Sequence, residues 1–404
     1  MKIRSITYFT NPGWPLERDA IQTAATFIKK AKTAFEDVGF EVQSSRFATP
    51  PFPTLLPDCS PEVVTNFAKL LETEASKIGF DYVSIGPALP GFPESYRVIP
   101  EVIAKTENTF ASAVMASHEN GISLPAVGAC AEIIQKLSTK DPNGFTNLFF
   151  AALGNVSAGA PFFPAAYHEG STPAFAIATE AADLAVTAIN EARTLLEARQ
   201  KLTEAIEAGA RKIVRVADEI GMDFNLRFYG IDYSLAPFPE TALSLGTAME
   251  RLGGMQVGLH GSLAAAAFIA DTIDKAIFPH TGFCGMMLPL LEDATLSKRG
   301  TQGILSIKDL LLYATVCGTG LDTIPLPGDA SVEKLSALLL DLASLSLRLD
   351  KPLTARLMPI PGKKAGDPTD FDFPYFANSR ILSLESKPLG GLFAGEESFQ
   401  LNSH

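Results

Sequence analysis

Two segments in the second half of the chain match each other, and each has a predicted strand followed by a turn that carries an aspartate. The first reads LDTIPLPGD (residues 321–329) and the second reads LMPIPGKKAGD (residues 357–367). Each has Pro-x-Pro-Gly followed by an aspartate in a turn that contains glycine. The carboxylates of Asp322, Asp329 and Asp367 are oxygen ligands that suit a divalent metal ion. The first two also suit acid–base catalysis.

Both turns have other interpretations. Asp329 lies two residues before Ser331, a predicted helix N-cap, and aspartate commonly closes Asx-turns or caps helices without any catalytic role. In the second turn, the backbone of Gly362 and the ammonium group of Lys364 are suited to binding an anionic substrate. The sequence there is not the GxxxxGK[ST] phosphate loop, so it does not indicate a nucleotide.

His280 and Cys284 form a third candidate site. A histidine four residues before a cysteine, in a Gly-rich approach to an extended segment, is compatible with a base and a nucleophile. The alternative is that Cys284 is a small buried apolar residue, which is the commonest role of a free cysteine. Cys317 is a weaker candidate, because a helix C-terminus disfavours the thiolate.

Two carboxylates and a serine complete the candidates. Glu180 in FAIATE and Asp232 in YGIDYS lie within apolar runs, where an unpaired carboxylate is costly to bury and therefore has a partner or a task. We assign Asp232 to substrate binding. Ser157 lies in a loop of small residues and is assigned the same role, although the loop lacks the GxSxG pattern of hydrolases.

Few cofactors fit the sequence. The five histidines show no zinc spacing such as HExxH. The glycines near Gly253 follow a predicted helix rather than a strand, so no nicotinamide or flavin signature is present. A divalent metal ion held by the three aspartates is the one cofactor that the sequence favours.

Composition limits the partners. The 404 residues carry a net charge of −12 with a pI of about 5.0, and no basic stripe marks a nucleic-acid or anionic-membrane surface. The four cysteines form no CxxC pair, and the N-terminus lacks the apolar stretch of a signal peptide. We therefore expect a cytoplasmic protein with a small-molecule ligand. A homodimer is compatible with the chain length but has no sequence signature.

The elements that would position these residues alternate between strand and helix. Apolar strands followed by helical repeats with Gly stops predict an α/β fold with eight to ten strands covered on both faces. We predict a helix over 99–120, a helix rather than a strand over 307–316, and an extended piece over 283–288. Ligands in such folds collect at the carboxyl ends of parallel strands. We expect one domain over residues 1–366 and an irregular C-terminal wrap over 367–404.

Four longer motifs resemble a known family when taken together. These are FYGIDYSLAPFP (228–239), GFCGMMLPLLED (282–293), VCGTGLDTIPLPGD (316–329) and ARLMPIPGKKAGD (355–367). In this order, with MKIRSITYF at the start and ATEAADLAV from Ala178, they resemble the uncharacterised family called domain of unknown function 711. That family is distantly similar to pyruvate formate-lyase. The resemblance implies a ten-stranded α/β barrel of parallel and antiparallel strands, with a loop threaded into its middle.

The radical chemistry of those relatives is not expected here. It needs a glycine after an arginine near the C-terminus, and Arg380 is followed by Ile381. The resemblance also does not require cysteine at position 284, which favours the aspartate turns. We therefore predict a non-radical enzyme, a hydrolase or a lyase, that acts on a small polar or anionic metabolite in the barrel mouth. The alternative is a non-catalytic metabolite-binding or sensor protein.

Overall fold

The computed structural model describes residues 1–170 and 172–403, in which strands and helices alternate for most of the chain. The strands are β1 (Lys2–Phe9), β2 (Ser45–Ala48), β3 (Tyr82–Ala88), β4 (Thr109–Ser117), β5 (Gly121–Ser123), β6 (Phe150–Gly154), β7 (Ala174–Glu180), β8 (Arg227–Ala236), β9 (Gly320–Pro327), β10 (Leu353–Ile360) and β11 (Ser398–Phe399). The helices are α1 (Arg18–Asp37), α2 (Phe52–Leu55), α3 (Pro61–Lys77), α4 (Glu94–Ala104), α5 (Leu124–Ser138), α6 (Ala182–Asn190), α7 (Leu195–Phe224), α8 (Leu245–Gly253), α9 (Ser262–Lys275), α10 (Ala294–Thr301), α11 (Ile307–Ala314) and α12 (Val332–Arg348). The fold is therefore mixed α/β with a large central sheet, as the sequence predicts.

Local sequence signals account for many of the helix ends. Ser60 caps α3 by accepting a hydrogen bond from the backbone of Val63, and Ser306 and Asp309 form a complete capping box at the start of α11. The prediction of a helix over 307–316 is thus confirmed. Gly39 follows α1 with a φ of 92°, a left-handed conformation that glycine adopts without steric cost.

The central sheet contains two groups of strands that run in opposite directions. Its order is β8-β7-β1-β2-β3-β4-β6-β10-β9, with β5 and β11 attached beside β4. The strands β1, β2, β3, β4 and β6 are parallel to one another. β7 is antiparallel to β1 and β10 is antiparallel to β6, and each continues into a parallel neighbour. The predicted mixture of parallel and antiparallel strands is therefore present.

Residues 280–290, which we call the inner segment, lie between the two end strands of this order. The backbone N–H of Met287 donates to Ser234 O of β8 at 3.0 Å, and that of Leu290 donates to Asp322 O of β9 at 3.1 Å. The predicted extended piece over 283–288 falls within this segment but is not a regular strand. The two isolated bridges, of His280 with Ile231 and of Pro289 with Asp322, lie on either side of it.

A second internal loop, residues 155–168, packs beside the inner segment. Its carbonyl groups accept hydrogen bonds from sheet hydroxyls, from Thr7 to Pro161 O and from Ser84 to Ala166 O, both at 2.8 Å. Phe162 of this loop packs with Phe283 and Met287 in a small apolar cluster. The two loops together cover one face of the sheet and form part of the wall of the cavity described below.

The predicted helix over 99–120 is wrong in its second half. Helix α4 ends at Ala104, and residues 109–117 form the strand β4. Side chains on both faces of β4 are mostly buried, so its sequence TFASAVMAS lacks the alternation that identifies a half-exposed strand. No helix among residues 1–170 and 172–403 is both long enough and apolar enough to cross a bilayer.

Candidate functional site

A cavity of about 170 Å³ opens beside the sheet where the first four strands begin. Arg4, Arg46, Tyr82 and Phe110 line it from the early residues of β1, β2, β3 and β4. The remaining walls are formed by Asp322 and Arg356 of β9 and β10, by Glu292 and Met287, by Phe162 and Phe163 of the internal loop, and by Phe373 and Tyr375 of the C-terminal region. The cavity thus faces the amino ends of β1 to β4, and not the carboxyl ends that the sequence prediction emphasised.

Two arginines and three carboxylates form a continuous ion-pair network at this cavity. Arg4 contacts Glu180 at 2.9 Å and Glu292 at 3.0 Å. Arg356 contacts Glu292 at 2.9 Å and Asp322 at 2.5 Å. Glu292 is the shared centre, because both arginines bind it. Buried ion pairs need such complete pairing to offset the loss of hydration.

Arg4 and Arg356 both lie at irregularities in the strand pairing. The register of β1 against β7 shifts between Ile3 and Ser5, so Arg4 lies at a bulge. The register of β10 against β9 also shifts between Ala355 and Leu357, but there the extra residue is on β9, between Leu321 and Ile324, so Arg356 lies opposite a bulge that contains Asp322. Bulges redirect a side chain that the regular alternation of a strand would place elsewhere, and they are frequent next to active sites.

Arg46 differs from the other two arginines. Its Nε–H donates to Ser44 Oγ at 3.2 Å, and its guanidinium lies over the Phe163 ring, 5.2 Å from the centroid. Within residues 1–170 and 172–403 it has no carboxylate within ion-pair distance. Burial, together with the nearby charge of Arg4, lowers the pKa of Arg46 to about 9, which still leaves it charged at neutral pH. A cation in this position is a ready partner for an anionic ligand.

Glu292 combines an unusual acidity with a fixed position. Burial raises the pKa of its carboxyl, while the charges of Arg356 and Arg4 oppose that rise. The next residue, Asp293, accepts hydrogen bonds from Ser244 Oγ at 2.6 Å and from three backbone N–H groups at the starts of α8 and α10. The backbone that carries Glu292 is therefore held firmly, and its carboxyl, whose protonated form is favoured by burial, is suited to donate a proton.

Of the three aspartates predicted as metal ligands, only Asp322 lines the cavity. Asp329 is exposed beyond the end of β9. Five residues of extended chain separate Asp322 from Pro327, or ~17 Å at ~3.3 Å per residue. Asp367 is half-buried in its own turn, where it accepts a hydrogen bond from the backbone of Lys364 at 2.7 Å.

The aspartates are therefore not brought together. Across the described part of the chain, no group of three or more His, Cys, Asp or Glu side chains could hold a metal ion. Lys364 and Gly362 are exposed on the same turn as Asp367 and do not line the cavity. A divalent metal stays a prediction, and no step below depends on it.

His280 and Cys284 do not form a base–nucleophile pair. His280 is exposed, stacks on Phe278 with 3.8 Å between ring centroids, and places Nε2 3.1 Å from Ala276 O. Cys284 is buried, and its Sγ–H donates to the carbonyls of Ile231 and Thr281, both at 3.2 Å. Burial and the nearby Asp232 carboxylate raise the pKa of Cys284. The thiolate that a nucleophile needs is therefore disfavoured.

Asp232 has a structural task that the sequence did not specify. It is fully buried, accepts from the backbone N–H groups of Phe283 at 2.7 Å and Cys284 at 3.0 Å, and accepts from Ser234 Oγ at 2.5 Å. These bonds anchor the inner segment to β8. Neither Asp232 nor the exposed Ser157 lines the cavity.

The Asp232 anchor predicts a pH-dependent stability. Burial raises the pKa of Asp232 from 3.8 to about 6. The folded state therefore binds this proton more tightly than the unfolded chain does. Its contribution to stability is fully present below pH 3.8 and is lost as the pH rises through about 6. Between about pH 4.5 and 7 we expect wild type to lose on the order of 2 kcal/mol of unfolding free energy relative to Asp232→Asn. Urea unfolding of both proteins at the two pH values measures this, and parallel pH dependence would contradict it.

Four residues of the cavity were missed from the sequence, namely Arg4, Arg46, Arg356 and Glu292. A usable signal was present, because KIRSITYF and LTARLMPI each carry a single arginine inside a run that is otherwise predicted as an apolar strand. Arginine is rarely buried without a partner. Glu180 was identified by the corresponding argument for carboxylates, and its ion pair with Arg4 supplies the expected partner.

Comparison with known proteins gives a family and a set of relatives. The family model described as Uncharacterised ACR (DUF711) matches residues 1–378. A UPF0210 protein of Methanococcoides burtonii is 30% identical over 351 residues, which cover 82% of this chain and 77% of the relative. A UPF0210 protein of Pyrobaculum aerophilum is 32% identical over 365 residues, with 84% and 79% covered. One from Oenococcus oeni is 29% identical over 374 residues, with 88% and 82% covered.

Proposed function

The chain belongs to the Uncharacterised ACR (DUF711) family, and from the geometry of the cavity we propose that it is an enzyme acting on a small anionic metabolite. The reaction is non-radical acid–base chemistry of the hydrolase or lyase type. Arg46 receives the anionic group, and Glu292 and Asp322 transfer protons.

The observation that carries this proposal is the arrangement of the three arginines. Arg4 and Arg356 each contact two carboxylates, whereas Arg46 contacts none within ion-pair distance in the part of the chain that the structure describes. Arg46 is half-buried, and a charge that is partly withdrawn from water without a partner is unfavourable. A ligand that supplies the missing negative charge would therefore stabilise Arg46 in the cavity wall.

The carboxylates have separate roles in this proposal. Glu292 lies between two guanidinium groups, while burial raises its pKa, so it is suited to donate a proton to a leaving group and to recover it afterwards. Asp322 is held by Arg356 alone and is suited to accept a proton from the substrate or from a water molecule. Arg4 and Arg356 act as positioning residues for both carboxylates.

We also propose that the sheet closes into a barrel. The inner segment would take the place of a tenth strand between β8 and β9, at the two ends of the nine-strand order. The hydrogen bonds of Met287 to β8 and of Leu290 to β9 support this closure. The similarity to pyruvate formate-lyase extends in this proposal only to architecture, because the sequence Arg380-Ile381 lacks the glycine needed for a glycyl radical.

A binding experiment tests the function. Purified protein is titrated calorimetrically with acetate, pyruvate and inorganic phosphate, beside the variants Arg46→Gln and Arg97→Gln. Arg97 is an exposed arginine on α4 and serves as the matched control. We expect Arg46→Gln to weaken anion binding by about 30-fold or more, which corresponds to at least ~2 kcal/mol, and Arg97→Gln to bind as wild type does.

Two results would count against the enzyme. Equal anion binding by wild type and Arg46→Gln would remove the basis of the site. A ligand that is recovered chemically unchanged by mass spectrometry after long incubation, with wild type and Glu292→Gln alike, would favour the non-catalytic binding or sensor alternative.

A further inference from the structure

Aromatic rings line the cavity beside the ion-pair network. Tyr82 and Phe110 meet edge to face with 5.5 Å between centroids, and Phe110 meets Phe163 in the same way at 5.3 Å. Tyr375 and Phe373, 5.4 Å apart, line the cavity from the C-terminal region. The cavity wall therefore combines charged groups and aromatic rings, and the two kinds touch where the Arg4 guanidinium lies over the Tyr375 ring, 5.2 Å from its centroid.

Charged and aromatic groups also meet at Arg46. Its guanidinium lies over the Phe163 ring, 5.2 Å from the centroid. An anion bound to this guanidinium has its remaining atoms beside Phe163 and Phe110 and not in open water. Aromatic side chains favour flat partners that stack or meet them edge to face. The neighbourhood of the anion site therefore selects for a flat apolar group attached to the anion.

The size of the cavity fits a group of one ring. Its volume is about 170 Å³, close to the ~150 Å³ of an apolar protein cavity that is known to hold one benzene molecule. One six-membered ring with a small substituent fills such a space, whereas a larger ligand would have to extend out of the cavity.

The charge pattern limits the ligand to one anionic group of low charge. Beyond Arg46, every cation of the wall already contacts carboxylates, and Glu292 and Asp322 repel a second negative charge. Building on the proposed function, we infer that the substrate class of this site is a single-ring monocarboxylate with a flat, unsaturated or aromatic ring.

The test compares probe carboxylates on the full chain. Benzoate, cyclohexanecarboxylate, acetate, 2-naphthoate and inorganic phosphate are titrated calorimetrically into wild type, Arg46→Gln, Phe163→Leu and Phe393→Leu. Phe393 is about half exposed, at 51%, and lies outside the cavity, so it is the matched control. We expect wild type to bind benzoate at least tenfold more tightly than acetate or phosphate, several-fold more tightly than the puckered cyclohexanecarboxylate, and 2-naphthoate weakly.

The variants separate this inference from the proposed function. We expect Phe163→Leu to reduce the benzoate-to-acetate ratio about fivefold or more, and Phe393→Leu to leave that ratio unchanged. If acetate and benzoate bound wild type with equal affinity and Arg46→Gln bound neither, the inferred preference for a ring would be overturned. The anion site itself would stand. Binding of 2-naphthoate as tight as that of benzoate would also overturn the inferred preference for a single ring. No Arg46-dependent binding of any anion would overturn the proposed function as well. The wild-type comparison of benzoate with cyclohexanecarboxylate decides the question even if Phe163→Leu fails to fold.

Discussion

Replacing Arg356 by methionine is expected to lower the free energy of unfolding by about 3–5 kcal/mol. Methionine keeps much of the volume of the arginine stem but removes the charge that Glu292 and Asp322 share. The two carboxylates then face each other in a buried site with one guanidinium fewer to compensate them. Urea denaturation at pH 7, followed by circular dichroism, measures the loss.

The matched control is a surface ion pair. Lys308 contacts Glu385 at 2.5 Å, but both side chains are mostly exposed, and such pairs contribute little because water screens them. We expect Lys308→Met to leave the urea midpoint where it is in wild type. An Arg356→Met midpoint equal to that of Lys308→Met would mean that the cavity network adds nothing to stability.

The Gly282→Ala variant is the second large effect that we expect. Gly282 has a φ of 68°, and a Cβ built on it would lie 2.2 Å from Oδ2 of Asp232 and 3.0 Å from Cδ of Pro161. A left-handed alanine costs about 1–2 kcal/mol, and crowding in a packed core adds about 1–3 kcal/mol. We therefore expect a loss of about 2–5 kcal/mol in total. Because Met287 lines the cavity, displacement of the inner segment is also expected to weaken anion binding.

Gly303→Ala isolates the backbone part of this effect. Gly303 has a similar φ of 71°, but a Cβ there would meet nothing within 4 Å. We expect Gly303→Ala to lose only the left-handed cost, about 1–2 kcal/mol, and to keep anion binding. Equal losses in the two variants would show that the contact between Gly282 and Asp232 is not the critical one.

The elements could be predicted wherever the sequence carries a local signal. The capping box of Ser306 and Asp309, the Ser60 cap and the Gly39 stop are read from neighbouring residues alone, and the structure contains each of them. Strand β4 could not be predicted in the same way. Its residues are buried on both faces by α4, α5 and the internal loop. The sequence of β4 therefore lacks the alternation of apolar and polar residues that identifies a half-exposed strand.

The site could be predicted only in part. Asp322 was found as one of the aspartates of the LDTIPLPGD motif, but the sequence does not say which way its strand runs. The second group of strands runs opposite to β1 to β4, so the Pro-x-Pro-Gly turns extend past the cavity, and Asp329 lies beyond it. The pairing of Arg4 with Glu292 spans 288 positions, a distance over which no local pattern carries information.

The position of the inner segment has a consequence for self-association. In many sheets the outermost strands carry unpaired backbone groups, and these are where proteins add a strand from another chain and where aggregation begins. Here β8 and β9 stand at the two ends of the strand order, and carbonyl groups of both accept backbone hydrogen bonds from the inner segment. The C-terminal region adds a further bond, from Leu382 N–H to Pro325 O of β9, at 3.0 Å. At these residues β8 and β9 are therefore occupied by segments of the same chain and are not available to a strand from a second copy.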